Sequence, residues 1–298
     1  MRVALAAVAV LAMLALPSAA RASAPPLETF EIQTYVPSRL WSTMAWIPDA
    51  VEPKFGTRRR LTYGGRSWRG IWNPVAVGGP SAAWAFKSGW SGGNGPATAV
   101  LSDVPVTAAL RRRWTVVAEL YRDADVLVVA AGHPACGGLT RAQANAIVRG
   151  RLTDWAAVAP GASGPIQVFY PSAAGDGESH FGVVRPSRGT ARLPYARGAR
   201  PATDGGVGAA AGGDPSVAAI STFSRVRGLG GICAVPLDGV APTEETVRAL
   251  TYPEAFPVSY VRPRSMGKFG LALYGAMARL FKTPAFKARL AGYGVLTS

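Results

Sequence analysis

The chain has 298 residues, 49% of them hydrophobic, with a formal net charge of +15. That is enough for two domains with cores of ordinary size, and such a charge attracts anions. With two histidines in the whole chain, a Ser-His-Asp centre would need His133 or His180. Neither lies near a Gly-x-Ser-x-Gly turn, and no Gly-x-x-x-x-Gly-Lys-Ser/Thr phosphate loop occurs, so an enzyme is not expected.

In chain order, Met1-Arg2 is a short positive start and Val3 to Leu16 an almost unbroken apolar run, followed by Pro17-Ser18 and small residues. This layout predicts a cleavable secretory signal over residues 1–22, cut after Ala22. The run is shorter than the roughly 20 residues a bilayer span requires. No cysteine lies near the cut, so a lipid anchor is not expected and a periplasmic or secreted location is. Removal of Arg2 and Arg21 lowers the net charge to +13. Arg58-Arg59-Arg60 and Arg111-Arg112-Arg113 are the densest basic runs. No zinc-finger spacing or RNA-binding aromatic motif accompanies them, so they read as solvated faces and not as a nucleic-acid site.

Residues 72–97, rich in Gly, Pro, Ser and Trp, predict an irregular loop or a short hairpin. Val126 to Ala131 reads as a buried strand, bounded by charge before and Gly-His-Pro after. Leu139 to Val148 reads as a helix that Thr140 can cap and Gly150 can end. Ile166 to Tyr170 is a further strand; residues 202–214 predict a mobile Gly/Ala turn leading into a helix. Pro257 to Val261 is a strand stopped by Arg262-Pro263, and Met266 to Leu290 carries apolar residues at helical spacing. Strands alternating with helices predict an α/β fold with mainly parallel sheets. Cys136 and Cys233 leave two readings open, a disulfide or two buried thiols too far apart to bridge. His133 and Cys136 form a His-x-x-Cys pair without the other ligands of a tetrahedral site. Asp176, Glu178 and His180 alternate and would face one way in an extended segment, which raises a divalent-metal site as a possibility. An exposed polar turn accounts for them better, and no metal or cofactor is expected.

Pro236-Leu237-Asp238-Gly239-Val240-Ala241-Pro242-Thr243, continued by Glu245-Thr246-Val247 and Tyr252-Pro253, resembles the phosphate-binding protein of the high-affinity phosphate ABC transporter. Leu139-Thr140 through Gly150, Thr153 and Trp155 is similar to that family's helix and turn, and Leu101 to Val106 to its Ser-Asp-x-Pro segment. Thr283-Pro284 through Tyr293-Gly294 resembles the closing helix of many such binding proteins. The resemblance covers about residues 100–298. It implies a two-lobed type II periplasmic-binding-protein fold, each lobe a mixed sheet flanked by helices, with two hinge crossovers. The lobes would be 25–124 plus 262–298 and 125–261, hinged near Val126–Ala131 and Pro257–Val261.

The family holds an oxyanion between its lobes by backbone N–H groups, hydroxyls and one Arg, while one Asp accepts a hydrogen bond from the protonated anion. Matched residue by residue, Asp103 is the anion-reading Asp, Ser67 the hydroxyl of a second loop and Ser38 that of the first. The third loop is Tyr170 to Phe181, in which Gly175, Asp176, Gly177 and Ser179 fall at the donor positions. Tyr170 stands where the family has its Arg, and Asp176 and Glu178 enter the loop. Arg66 or Arg69 is the candidate replacement cation. The implied function is capture of a small oxyanion, phosphate first, by a monomer that delivers it to an ABC permease. The alternative is a secreted scaffold of the same fold with an interaction or adhesion role, presenting Trp72, Trp84 and Trp90 as its contact surface.

Overall fold

The computed structural model describes residues 28–37, 61–63, 66–77, 97–103, 105–171, 197–202 and 206–297. Eleven strands among them join one continuous ladder: β1 Glu28–Pro37, β2 Leu61–Tyr63, β3 Arg66–Val77, β4 Ala97–Ser102, β5 Trp114–Ala130, β6 Gln167–Pro171, β7 Arg200–Ala202, β8 Val217–Thr222, β9 Ile232–Ala234, β10 Ala255–Pro263 and β11 Leu296–Thr297. The strand order is β2-β3-β1-β4-β10-β5-β8-β6-β7, with β9 and β11 also pairing β5. Helices α1 Arg141–Val148, α2 Gly206–Gly213, α3 Phe223–Val226, α4 Glu244–Arg248, α5 Lys268–Phe281 and α6 Pro284–Ala291 pack on it.

The organising element is β5, 17 residues long. Its first part, Trp114 to Ala124, pairs antiparallel with β10. From Asp125 onward its partners change to β8 and β9. One strand is thus shared by two sheets, and the partner exchange at Ala124–Asp125 marks the crossover. The sequence predicts a strand only over 126–131, because the charged residues Glu119, Arg122, Asp123 and Asp125 read as a boundary. They lie inside β5 instead, where side-chain partners and burial absorb them.

Two cores follow from this division. Val126 to Val129 of β5, Ile220 of β8, Ile147 of α1 and Trp155 form one. Leu120, Tyr121, Val258 and Tyr260 form the other with Leu273, Tyr274, Met277 and Phe281 of α5 and Phe286 and Leu290 of α6. Tyr260 and Phe281 meet edge-on with ring centroids 5.2 Å apart. Truncating such a ring to alanine costs about 3–5 kcal/mol.

Local signals explain most of the helices. Thr140 and Gln143 form a reciprocal capping box at the start of α1, and Thr243 and Thr246 do the same for α4. The helical spacing over 266–290 spans two helices, because Pro284 lacks an N–H and starts α6 with Thr283 as its cap, where the closing helix was expected to begin. Trp72 to Val77 belongs to β3 and not to an irregular loop, while 78–96 lies outside the described residues. Residues 206–213, read largely as a turn, form α2 in spite of four glycines, with Val207 and Ala211 fully buried against the sheet. The described helices include none long and apolar enough to cross a membrane.

Candidate functional site

The parallel strands set the site. β1 runs parallel to β3 and to β4, with Pro37 opposite Val77 and Tyr35 opposite Val100. The carboxyl ends of all three therefore lie at one edge, and because β4 is antiparallel to β10 and β10 to β5, they point toward the crossover. On the other side β6 is parallel to β7 and β8, and the end of β8 meets β5 where Thr222 pairs with Asp125. Two sets of carboxyl strand ends thus converge on Ala124–Asp125 from opposite sides. In open α/β sheets the crevice outside carboxyl ends is where ligands bind.

Asp103 follows β4 directly at this edge and is 6% exposed; the preceding Ser102 is fully buried and opposite Ser259 of β10. Ser38 is the residue immediately after β1, and Gly175, Asp176, Gly177 and Ser179 belong to the segment that continues from β6; all five lie outside the described residues. Ser67 is at the other end. It opposes Thr62 and precedes Trp68, which pairs with Glu28, the first residue of β1. About ten residues of ladder, on the order of 30 Å, separate that level from the end of β4. The ladder does not bring Ser67 to Asp103. The cause is local: Tyr63 pairs with Arg66, so Ser67 is the second residue of β3, at the start of that strand. Arg66 and Arg69 share that remote end with Ser67. The segment continuing from the carboxyl end of β3 begins Gly78-Gly79-Pro80-Ser81, a small-residue, hydroxyl-bearing stretch that the sequence reading passed over.

The described wall of the crossover is built from acids. Asp123, 5% exposed, accepts from the backbone N–H of Ala124 at 2.9 Å and of Ser224 at 3.0 Å, and from the Ser224 hydroxyl at 2.6 Å. Asp125 is 2% exposed, and its N–H donates to the Glu254 carbonyl at 3.1 Å. Glu254 is buried and paired with the Arg141 guanidinium. Burial pushes the Glu254 carboxyl above its ordinary range, Arg141 pulls it back in part, and Asp125 and Asp238 add to the rise. The hydrogen bond from its guanidinium to Glu254 raises the Arg141 pKa. Alternation of charge within a strand was the available signal for these residues.

The Asp238-Gly239 pair sits in a tight hairpin in which Leu237 and Val240 exchange backbone hydrogen bonds at 3.0 and 2.9 Å. Both central residues have positive φ, 50° and 79°, as a type I′ turn requires. Asp238 Oδ1 accepts from the N–H of Arg141 at 2.9 Å, a first-turn donor of α1 without a helical partner. The motif is thus a helix-anchoring device that aims Arg141 at Glu254. His133 caps the turn after β5: its Nδ1 accepts from the Ala135 N–H at 3.1 Å, its ring lies 4.4 Å from that of Trp155, and burial lowers its pKa. Among the described residues no group of His, Cys, Asp and Glu is arranged to hold a metal ion.

The backbone arrangement has close counterparts among solved structures. An ABC-type phosphate transport receptor from Vibrio cholerae superposes with a TM-score of 0.66 at 15% identity, covering 90% of this chain and 100% of its own. The chain has the two-lobed periplasmic-receptor fold. The receptor PstS from Borrelia burgdorferi gives a TM-score of 0.59 at 10% identity, covering 91% of this chain and 98% of its own. A human phosphate binding apolipoprotein gives 0.51 at 14% identity, with 89% and 90% covered. No family model matches the sequence, and no curated protein does. β5, which leaves one set of partners for another at Ala124–Asp125, is the strand that passes between the two sheets.

Proposed function

We propose that this chain is an exported receptor that captures a small oxyanion, phosphate first, in the crevice between its lobes for delivery to an ABC permease. The observation that carries the reading is the convergence of two sets of carboxyl strand ends on the crossover, with buried Asp103 at that edge. In this reading the lobes are 25–124 plus 255–298 and 125–254; the return crossing moves from the 261/262 boundary read in the sequence to the start of β10, because Val258 and Tyr260 pack with Leu120 and Leu273. Asp103, Ser38 and the segment containing Gly175, Asp176, Gly177 and Ser179 form the binding set, and Gly78 to Ser81 joins them as the segment after β3. Ser67, at the opposite end of the ladder, is left out. The Vibrio cholerae phosphate transport receptor and the human phosphate binding apolipoprotein, which share the fold, support the ligand class.

The chemistry is selection by protonation state. A buried carboxylate accepts a hydrogen bond from a protonated oxyanion, whereas a fully deprotonated one offers it only acceptors and like charge. The acids at the crossover make this demanding, so the anion must be held chiefly by backbone and hydroxyl donors of the segments after the strands. Ligand contacts to both lobes favour the closed form over the open one.

The deciding experiment is titration calorimetry of mature protein, refolded in phosphate-free buffer, with phosphate and then sulfate. One-to-one binding of phosphate that falls at least tenfold in Asp103→Ala supports the reading. Asp103→Asn should shift preference toward sulfate. Absence of heat and of thermal shift with phosphate would sink it.

A further inference from the structure

The end of the ladder farthest from the crossover carries a different chemistry. Leu110–Arg112 forms a single 3-10 turn leading into β5, and Arg111, Arg112 and Arg113 are all exposed. The end of β10 returns beside it, with Pro263 opposite Trp114 and Arg262 opposite Thr115. The Arg264 N–H donates to the Arg113 carbonyl at 2.7 Å, and the Arg264 guanidinium to the Arg111 carbonyl at 3.3 Å. Arg262 donates to the carbonyls of Pro263 at 2.7 Å and Arg264 at 3.3 Å, and Arg111 Nε to that of Val106 at 3.1 Å. Five guanidiniums are gathered within one sheet end, three of them (Arg111, Arg262 and Arg264) tethered to backbone carbonyls, and among the described residues none pairs with a carboxylate. The sequence around them is one-sided: residues 104–118 and 255–298 contain ten basic residues and no Asp or Glu.

Five arginines without a carboxylate partner among the described residues repel one another, and a single small anion neutralises at most two of them. Arginine, unlike lysine, presents paired N–H donors that match phosphate oxygens. About ten ladder residues, on the order of 30 Å, separate this cluster from the crossover, so it is no part of the ligand crevice. From these observations we infer that the Arg111–Arg113, Arg262 and Arg264 cluster is a docking surface for an anionic phospholipid bilayer. It would hold the protein on a membrane by its lobe end while the crevice stays free. Each arginine at such a surface is worth about 1 kcal/mol, or roughly fivefold in affinity.

The test is co-sedimentation of mature protein with phosphatidylglycerol vesicles and with phosphatidylcholine vesicles, at low and raised salt. Binding to the first only, released by salt, is expected. Arg111→Gln/Arg112→Gln/Arg113→Gln should weaken it about 100-fold. Arg112→Gln alone, at an exposed side chain that folding does not depend on, should weaken it about fivefold. A charge-matched control, Arg151→Gln/Arg197→Gln/Arg200→Gln, should stay within about twofold of wild type. An equal loss in the control would assign the effect to net charge and overturn the surface. Equal binding to phosphatidylcholine, or no binding to either vesicle, would overturn it too. Displacement by inorganic phosphate far beyond that by chloride at equal ionic strength would mean a free-anion site, and recovery only of an acidic protein partner would reassign the face.

Discussion

Asp123, in the crossover strand, accepts both the backbone N–H and the hydroxyl of Ser224, at 3.0 and 2.6 Å. Two hydrogen bonds to one buried carboxylate lock the first turn of α3 to β5 just before β5 exchanges partners. Charge-assisted bonds contribute about 1.5–3 kcal/mol each, and orphaned donors add a desolvation cost. Asp123→Ala is expected to lower stability by about 3 kcal/mol or more in urea unfolding, and Ser224→Ala by about 1–2 kcal/mol. A double mutant no worse than Asp123→Ala alone would show that the pair acts as a unit. Full additivity would contradict the coupling.

Glu254 gives a pH signature. Its folded-state pKa is raised by burial, so the folded protein binds this proton more tightly than the unfolded chain. The stability it contributes is full below the ordinary Glu range and is lost as pH rises through the raised value. His133, lowered by burial, acts in the opposite sense, adding stability above its ordinary range that is lost on acidification. Comparing wild type with Glu254→Gln cancels the histidine. The wild type should gain on the variant as pH falls from neutral toward the ordinary Glu range; a constant difference would mean that Arg141 fully offsets burial.

Gly294 has φ +79°, and a methyl placed there would lie 2.7 Å from the Ser224 carbonyl oxygen. Gly294→Ala should therefore cost about 2 kcal/mol or more from strain and displacement together. The loss should appear as a lower melting temperature, with Gly292→Ala, where φ is −60°, as the milder comparison.

Cys136 and Cys233 are both free thiols, brought together by one strand. Cys233 pairs with Val129 of β5, and Cys136 Sγ donates to the carbonyl of the next residue, Ala130, at 3.6 Å. Burial and a hydrogen bond with Cys136 push the Cys233 thiol up to about 12. At pH 8 Cys233 should alkylate far more slowly than free cysteine, since the thiolate is the nucleophile. Rapid labelling of two cysteines by iodoacetamide in folded protein would contradict this placement.

What was legible in the sequence was what local chemistry specifies. The Thr140–Gln143 box, the Asp238-Gly239 turn and the apolar alternation of β10 each carry their own instructions within a few residues. β5 was read at a third of its length because its polar residues are accommodated by distant partners, Asp123 by Ser224 and the strand beside Glu254 by Arg141, which no window of sequence contains. Asp103 stands directly after β4, the position its Ser-Asp-x-Pro segment implies, whereas Ser67 lies a ladder length away from it. A serine shortly after a Gly-Gly pair looks the same inside a strand as in a strand-to-helix loop, and only the register of β1 against β3 distinguishes the two. The start of α6 was legible at Thr283-Pro284, a cap followed by a proline in the first turn.

The sharing of β5 between two sheets also dictates an order of assembly. Ser102 at the end of β4 has Ser259 of β10 as its ladder neighbour, so the strand laid down early waits for a segment made more than 150 residues later. Pairings of such long sequence separation are slow to close. A ribosome-bound chain can complete the sheet after Asp125 first, but its amino-terminal strands stay without their central partner until the carboxyl-terminal third emerges. Completion of the fold is thereby tied to completion of the chain.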